Sequence, residues 1–272
     1  MLEILKTILI GIVQGVTEWL PVSSTGHMIL LDELIHLNVS DSFMEMFRVV
    51  IQLGSILAVL VLYFRRLNPF APSKTSAQKN ATWQLWFKVV VAVIPSAVLG
   101  LLLDDWFDAH FYNGFVVALM LILYGVAFLW LDKKSQKTGL MTDTQGISYK
   151  TAFLVGCFQV LSLIPGTSRS GSTIIGGLLC GLSRPVAAEF SFFMAIPTMA
   201  GASGLKLLKF ILEGASISGM EIAILITGCA VAFVVSLAAI RALMDYVRRH
   251  TFRVFGVYRI ILGAVVLLAA LI

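Results

Sequence analysis

Long apolar runs dominate the chain. Six stretches, near 44–63, 84–103, 113–131, 186–206, 220–242 and 254–272, are apolar almost throughout. Each has about the 20-residue length a helix needs to cross a bilayer. Two further regions, 3–36 and 150–182, are long enough but are interrupted at mid-length. The interruptions are "LPVSSTGH" at 20–27 and "IPGTSRSG" at 164–171. Each side of an interruption is too short to span, so each region predicts two half-helices that enter the membrane and turn back. Irregular backbone at that depth is tolerated only where it is buried in protein or lines a wet cavity. The roughly ten-residue alternation of a membrane barrel is absent. The expected fold is an all-α integral membrane protein with six transmembrane helices and two re-entrant helix pairs.

Composition supports this class. The 272 residues are 58% hydrophobic and 13% charged, against about 25% charged in soluble domains. The net charge of +5 does not point to nucleic acid, because in a membrane protein excess Lys and Arg mark the cytoplasmic side. Arg65, Arg66, Lys74 and Lys79 follow the first span. Lys133, Lys134, Lys137 and Lys150 follow the third, and Arg241, Arg248, Arg249 and Arg253 precede the last. These loops are expected to be cytoplasmic; "DDWFDAH" and "DELIHLNVSD" are expected outside, with both termini. The first apolar run contains Gln14 and Glu18 and has no small-residue cleavage site, so it reads as retained. Cys157, Cys180 and Cys229 are scattered in apolar sequence and predict neither a disulfide framework nor a metal site.

The layout implies an internal repeat. Pro21 and Pro165, Ser24 and Ser168, and Glu45 and Glu189 are each 144 positions apart; "GIVQ" at 11–14 matches "GCFQ" at 156–159 with a one-residue gap. The expected halves, about 1–131 and 150–272, each hold a broken pair and three spans within one membrane domain. An odd number of spans inverts the second half, giving the inverted-topology layout of many transporters.

The interruptions carry the candidate chemistry. Gln14 and Glu18 share a helix face, and an intramembrane acid needs a partner or water. Ser23 and Ser24 can cap the helix that follows Pro21, whose free N–H groups favour an anion. His27 lies three residues after Ser24, and a hydroxyl beside an imidazole is the minimum for a nucleophile and its base. The second interruption places Arg169 where the repeat has Thr25, flanked by Ser168 and Ser170. A mid-membrane Arg demands an anion. If the interruptions face each other, they form a phosphate site with a nucleophile. Glu45, Arg48 and Gln52 share a helix face and could form a structural ion pair or line a substrate mouth. Tyr258 and Arg259 read as interfacial anchors.

"QGVTEWLPVSSTGH" and "PGTSRSG" closely resemble the two signature motifs of the bacitracin-resistance family of bacterial undecaprenyl pyrophosphate phosphatases. The similarity extends through "EMFRVVIQLGSILAV" and "AAEFSFFMAIPTMAG" over essentially the whole chain. The resemblance implies hydrolysis of undecaprenyl pyrophosphate to the monophosphate and inorganic phosphate. That reaction recycles the lipid carrier for peptidoglycan synthesis and gives bacitracin resistance. It implies the bacterial cytoplasmic membrane, with the site open to the outer face. Family roles fall on Glu18, on Ser24 as the nucleophile candidate, on His27 and on the phosphate-binding Arg169, with Gln14, Ser23, Thr25, Ser168 and Ser170 around the phosphates. His27 remains an alternative nucleophile. A divalent cation, Mg2+ or Ca2+, is implied, held by Glu18 with the substrate's own phosphates. Gln14 stands where some members carry Glu, which weakens a two-carboxylate cation site. The partners implied are a polyprenyl pyrophosphate and membrane lipids; a homodimer is left open. The rival readings are a lipid flippase or transporter on the same frame, and a passive channel.

Overall fold

The computed structural model describes residues 1–111, 113–134 and 141–269. Lys137 and the last three residues of the expected sixth span lie outside the described residues, as do the side chains of Lys133 and Lys134. Twelve α-helices follow in order among the described residues. They are α1 (Leu2–Thr17), α2 (Ser24–Leu34), α3 (Asp41–Val50), α4 (Gln52–Leu62), α5 (Phe64–Leu67), α6 (Ser76–Phe111), α7 (Gly114–Lys134), α8 (Tyr149–Val160), α9 (Arg169–Leu179), α10 (Arg184–Leu212), α11 (Gly219–Arg249) and α12 (Arg253–Ala269).

Among the described residues, five stretches are long and apolar enough to cross a membrane: Asp41–Leu62, Ser76–Leu103, Gly114–Leu131, Arg184–Leu212 and Gly219–Arg249. The expected sixth, α12, has 17 described residues. The first span runs through α3 and α4 with one irregular turn at Ile51, whose backbone stays in the α-helical region. The outer surface is apolar: Phe87, Val90, Ile94, Val98 and Leu101 of α6 are each about half exposed or more and recur at helical spacing. A stripe of that size in water would be an aggregation hazard; against lipid tails it costs nothing.

The two interruptions behave as punctuation. The first separates α1 from α2, and the second separates α8 from α9, with a 3₁₀ turn at Leu161–Leu163. The first half-helix of each pair packs along a long helix from the other half of the chain: α1 along α11, α8 along α6. Small residues make the close approach possible. A Cβ on Gly156 of α8 would run into the Ala92 carbonyl of α6, and one on Gly15 of α1 would lie 2.8 Å from the Ala232 carbonyl of α11. The most extensive pairing is α7 with α12, where Gly125 and Gly256 face each other's carbonyls. This pairing fixes the position of α12 beside the interruptions.

A second polar cluster lies away from them. Arg66, a loop charge by sequence, reaches Glu189 of α10 at 2.6 Å and Asp143 at 3.0 Å. Of the helix-face trio, Glu45 is exposed and Gln52 Nε2 donates to the Arg48 carbonyl at 3.5 Å.

Candidate active site

The two interruptions are built alike. In the first, α1 ends at Thr17, Glu18 closes its last turn, and Pro21 prevents continuation. Ser23 then takes φ 73° and caps α2, its Oγ accepting from Gly26 N at 3.3 Å. In the second, Ser168 takes φ 72° and caps α9, its Oγ accepting from Gly171 N at 3.1 Å. These are the only non-glycine residues at positive φ among the described residues. Such a conformation costs of order 1–3 kcal/mol and persists only where its surroundings enforce it. The equivalent caps are therefore Ser23 and Ser168. The sequence pairing of Ser24 with Ser168 is one residue out of register, and Arg169 stands opposite Ser24 rather than Thr25. Both breaks contain a Pro, but the second carries one more residue between Pro and cap, which the 144-residue spacing hid.

Glu18 is the hub. It is 5% exposed. Its Oε2 accepts from Gln14 Nε2 at 3.0 Å and from Ser24 Oγ at 3.2 Å. Its Oε1 pairs with Arg169 Nη2 at 3.0 Å. Arg169 also donates through Nη1 to the Ser191 carbonyl at 2.9 Å and to Ser191 Oγ at 3.2 Å, and its guanidinium lies 5.7 Å over the Trp19 ring. Thr173 Oγ1 meets Ser191 Oγ at 2.6 Å. Ser170 Oγ donates to the Glu18 carbonyl at 3.2 Å and meets Ser168 Oγ at 3.3 Å. Thr25 lies half-buried in the first turn of α2. The fold thus brings Gln14, Glu18, Ser24, Arg169 and Ser170 into one network. Gln159, the counterpart of Gln14, is not in it. It donates to Ser96 and Thr198 instead.

His27 is placed differently from expectation. The spacing suggested a Ser24–His27 pair, but Nδ1 contacts the Ser23 carbonyl at 2.8 Å and Nε2 contacts Tyr258 OH at 2.6 Å. The Ser24 hydroxyl is committed to Glu18. Helix geometry explains the change: a side chain four residues after a carbonyl reaches it readily, and the His27 backbone N–H donates to the same Ser23 carbonyl at 3.4 Å.

Arg259 of α12 is no interfacial anchor. It is fully buried and donates to the Pro21 carbonyl at 3.3 Å, to Gly166 at 2.9 Å, to Thr167 at 3.0 Å and to Met120 at 3.5 Å. It therefore ties both breaks to α7, with its guanidinium 5.4 Å over the Tyr124 ring. The rule that flagged Arg169, an Arg inside an apolar run, would equally have flagged Arg259. Ser191 and Thr173 had no comparable signal.

A hard cation takes about six or more oxygen ligands. The site offers one carboxylate, already engaged by Arg169, Gln14 and Ser24. Among the described residues no group of three or more His, Cys, Asp or Glu could hold a metal ion. The donor types suit a cation that brings most of its oxygens with the substrate. Arg169 Nε and Thr167 Oγ1 are buried with no partner among the described residues. Unsatisfied groups of this kind cost about 1–3 kcal/mol each.

Known proteins resemble the chain along nearly its whole length. A family model described as bacitracin resistance protein BacA matches residues 7–265. A protein named undecaprenyl-diphosphatase from Streptococcus thermophilus (strain ATCC BAA-250 / LMG 18311) is 56% identical over 267 residues, 98% of this chain and 93% of that protein. Another of that name, from Streptococcus pyogenes serotype M4, is 56% identical over 268 residues, 98% of this chain and 96% of that protein.

Proposed function

The chain belongs to the bacitracin resistance protein BacA family, and from that premise we propose how its buried site works. The protein hydrolyses undecaprenyl pyrophosphate to undecaprenyl phosphate and inorganic phosphate. The observation that carries the mechanism is the Ser24 hydroxyl aimed at Glu18 with Arg169 on the other carboxylate oxygen. Arg169, and the helix N-termini that begin at Ser24 and Arg169, take the charge of the pyrophosphate, as phosphoryl transfer requires. Ser24 Oγ attacks the terminal phosphorus, Glu18 accepts the hydroxyl proton, and the bond to the bridging oxygen breaks to release the lipid monophosphate. Water then cleaves the seryl phosphate, giving inorganic phosphate. Anion binding also accounts for the buried, unpartnered Arg169 Nε. A divalent cation, where bound, would rest on Glu18 and the substrate oxygens and neutralise phosphate charge.

Ser24 rather than His27 is the nucleophile in this reading, because both ring nitrogens of His27 are engaged elsewhere. The test is phosphate release from C55 and shorter prenyl pyrophosphates by purified protein in detergent. Ser24→Ala and Glu18→Gln should abolish turnover, and trapped phospho-enzyme should carry its label on Ser24. Label on His27 would overturn the assignment. Absence of release from wild type in detergent, where no second compartment exists, would favour a flippase.

The arrangement we propose is six spans and two re-entrant pairs in an inverted repeat, in the bacterial cytoplasmic membrane, with the site open outward. The matched left-handed caps at Ser23 and Ser168 and the reciprocal packing of α1 on α11 and α8 on α6 support the repeat. Ser73→Cys and Ser216→Cys, each in a background without other cysteines, should label from opposite faces of oriented vesicles. Labelling from the same face would refute the arrangement.

A further inference from the structure

His27 takes no chemical step in this mechanism, and Tyr258 has no role in it. We propose that Tyr258 is a positioning residue acting through His27: its hydroxyl locks the imidazole so that Nδ1 holds the Ser23 carbonyl and, with it, the left-handed cap that aims Ser24. The inference rests on the reading of Ser24 as nucleophile.

The hydrogen bonds fix the tautomer. A carbonyl oxygen only accepts, so the 2.8 Å contact to Ser23 O makes Nδ1 the N–H nitrogen. In the neutral ring Nε2 is then the acceptor, and Tyr258 OH, at 2.6 Å, donates to it. The two rings lie near-parallel, 6° apart, so the phenol also fixes the plane of the imidazole. Bonds of this kind set which histidine nitrogen carries the proton.

The neighbouring residue does the complementary job. Arg259 grips the Pro21 carbonyl, two residues before Ser23. The Tyr258–Arg259 dipeptide of α12 thus holds the first break on both sides of its strained residue, once directly and once through His27. The second break has a tyrosine at the matching place, although there the cap carbonyl is held by the backbone N–H of Ser172 at 2.9 Å and not by a side chain. Ser172 is four residues after the Ser168 cap, as His27 is four after Ser23, and its Oγ donates to Tyr124 OH of α7 at 3.2 Å. Arg259 holds Gly166 and Thr167 just before that cap. A tyrosine thus meets the same position in both breaks, although the residues it meets, an imidazole and a hydroxyl, share no acid–base chemistry. What they share is position relative to the cap.

The experiment uses the purified full-length protein with Tyr258→Phe, His27→Ala and the double variant. Tyr258→Phe keeps the ring, and at 44% exposure its hydroxyl is removed without emptying a core. Phosphate release from a prenyl pyrophosphate should fall about tenfold in kcat with KM little changed, one hydrogen bond's worth of alignment. The double variant should be no slower than His27→Ala alone, because both act through one contact. Nitrogen NMR of histidine-labelled protein, with the His27 signal identified by its loss in His27→Ala, should show a single Nδ1–H tautomer in wild type and a mixture in Tyr258→Phe. Wild-type turnover in Tyr258→Phe, additive losses in the double variant, or an unchanged single tautomer would each overturn the proposal. Should wild type release no phosphate at all, the phosphatase reading fails, and the tautomer measurement still decides this inference.

Discussion

Arg169 illustrates how much one side chain does here. Its two terminal nitrogens divide between Glu18 and Ser191, a fork that a lysine ammonium cannot reproduce. Arg169→Lys is expected to lose about 10–100-fold in kcat/KM, the worth of a charge-assisted hydrogen bond or two; near-normal phosphate release would make the Arg structural only. Gln14 gives a second prediction. Its amide donates to Glu18, so Gln14→Glu replaces a donor with a second carboxylate four residues from the first. Two carboxylates at that distance repel unless a proton or cation sits between them. The variant should lose more turnover to a chelator than wild type does, and regain it at a lower concentration of added cation. An unchanged cation titration would place the pair away from any cation.

Among the helices and their ends, the caps are the strained parts. Ser23 has φ 73°, which glycine adopts freely and alanine does not. Ser23→Gly loses the cap hydroxyl but relieves the left-handed strain that serine already carries, whereas Ser23→Ala keeps that strain and loses the cap bond, a cost of about 0.5–2 kcal/mol. Thermal unfolding in detergent should rank the glycine variant above the alanine variant, and the reverse order would contradict the left-handed assignment. Packing between helices is similarly exposed to test. Gly156→Ala forces α8 off the Ala92 carbonyl of α6 and should destabilise by about 1–3 kcal/mol, the usual range for overpacking. An unchanged melting temperature would show that the helices can separate without cost. Periodicity and turn chemistry made these elements legible: the Pro–Ser interruptions at Pro21 and Pro165 located both breaks closely. They could not reveal the irregular turn at Ile51 or the one-residue register error between the breaks, because neither changes local hydropathy.

Arg259 joins what the chain keeps far apart. It connects carbonyls of both breaks and of α7 from its place on α12. Arg259→Leu leaves those carbonyls without their charged donor in a low-dielectric interior. A loss of about 3 kcal/mol or more is expected, read as a lower melting temperature and poorer monodispersity in detergent; a fully stable variant would show that water replaces the guanidinium. Hydropathy, helix-stopping residues and misplaced polar groups are local properties of a chain. They were enough for the membrane class, for the two breaks, and for most of the polar side chains that the fold gathers there. Local spacing could pair those side chains only along one helix, which joined Ser24 to His27. Folding pairs them differently. Ser24 goes to Glu18, His27 goes to Tyr258, and Arg259 is buried. The contacts responsible span the 231 positions between His27 and Tyr258 and the 238 between Pro21 and Arg259. No local pattern encodes such distances; the packing of α12 on α7 is what brings those residues together.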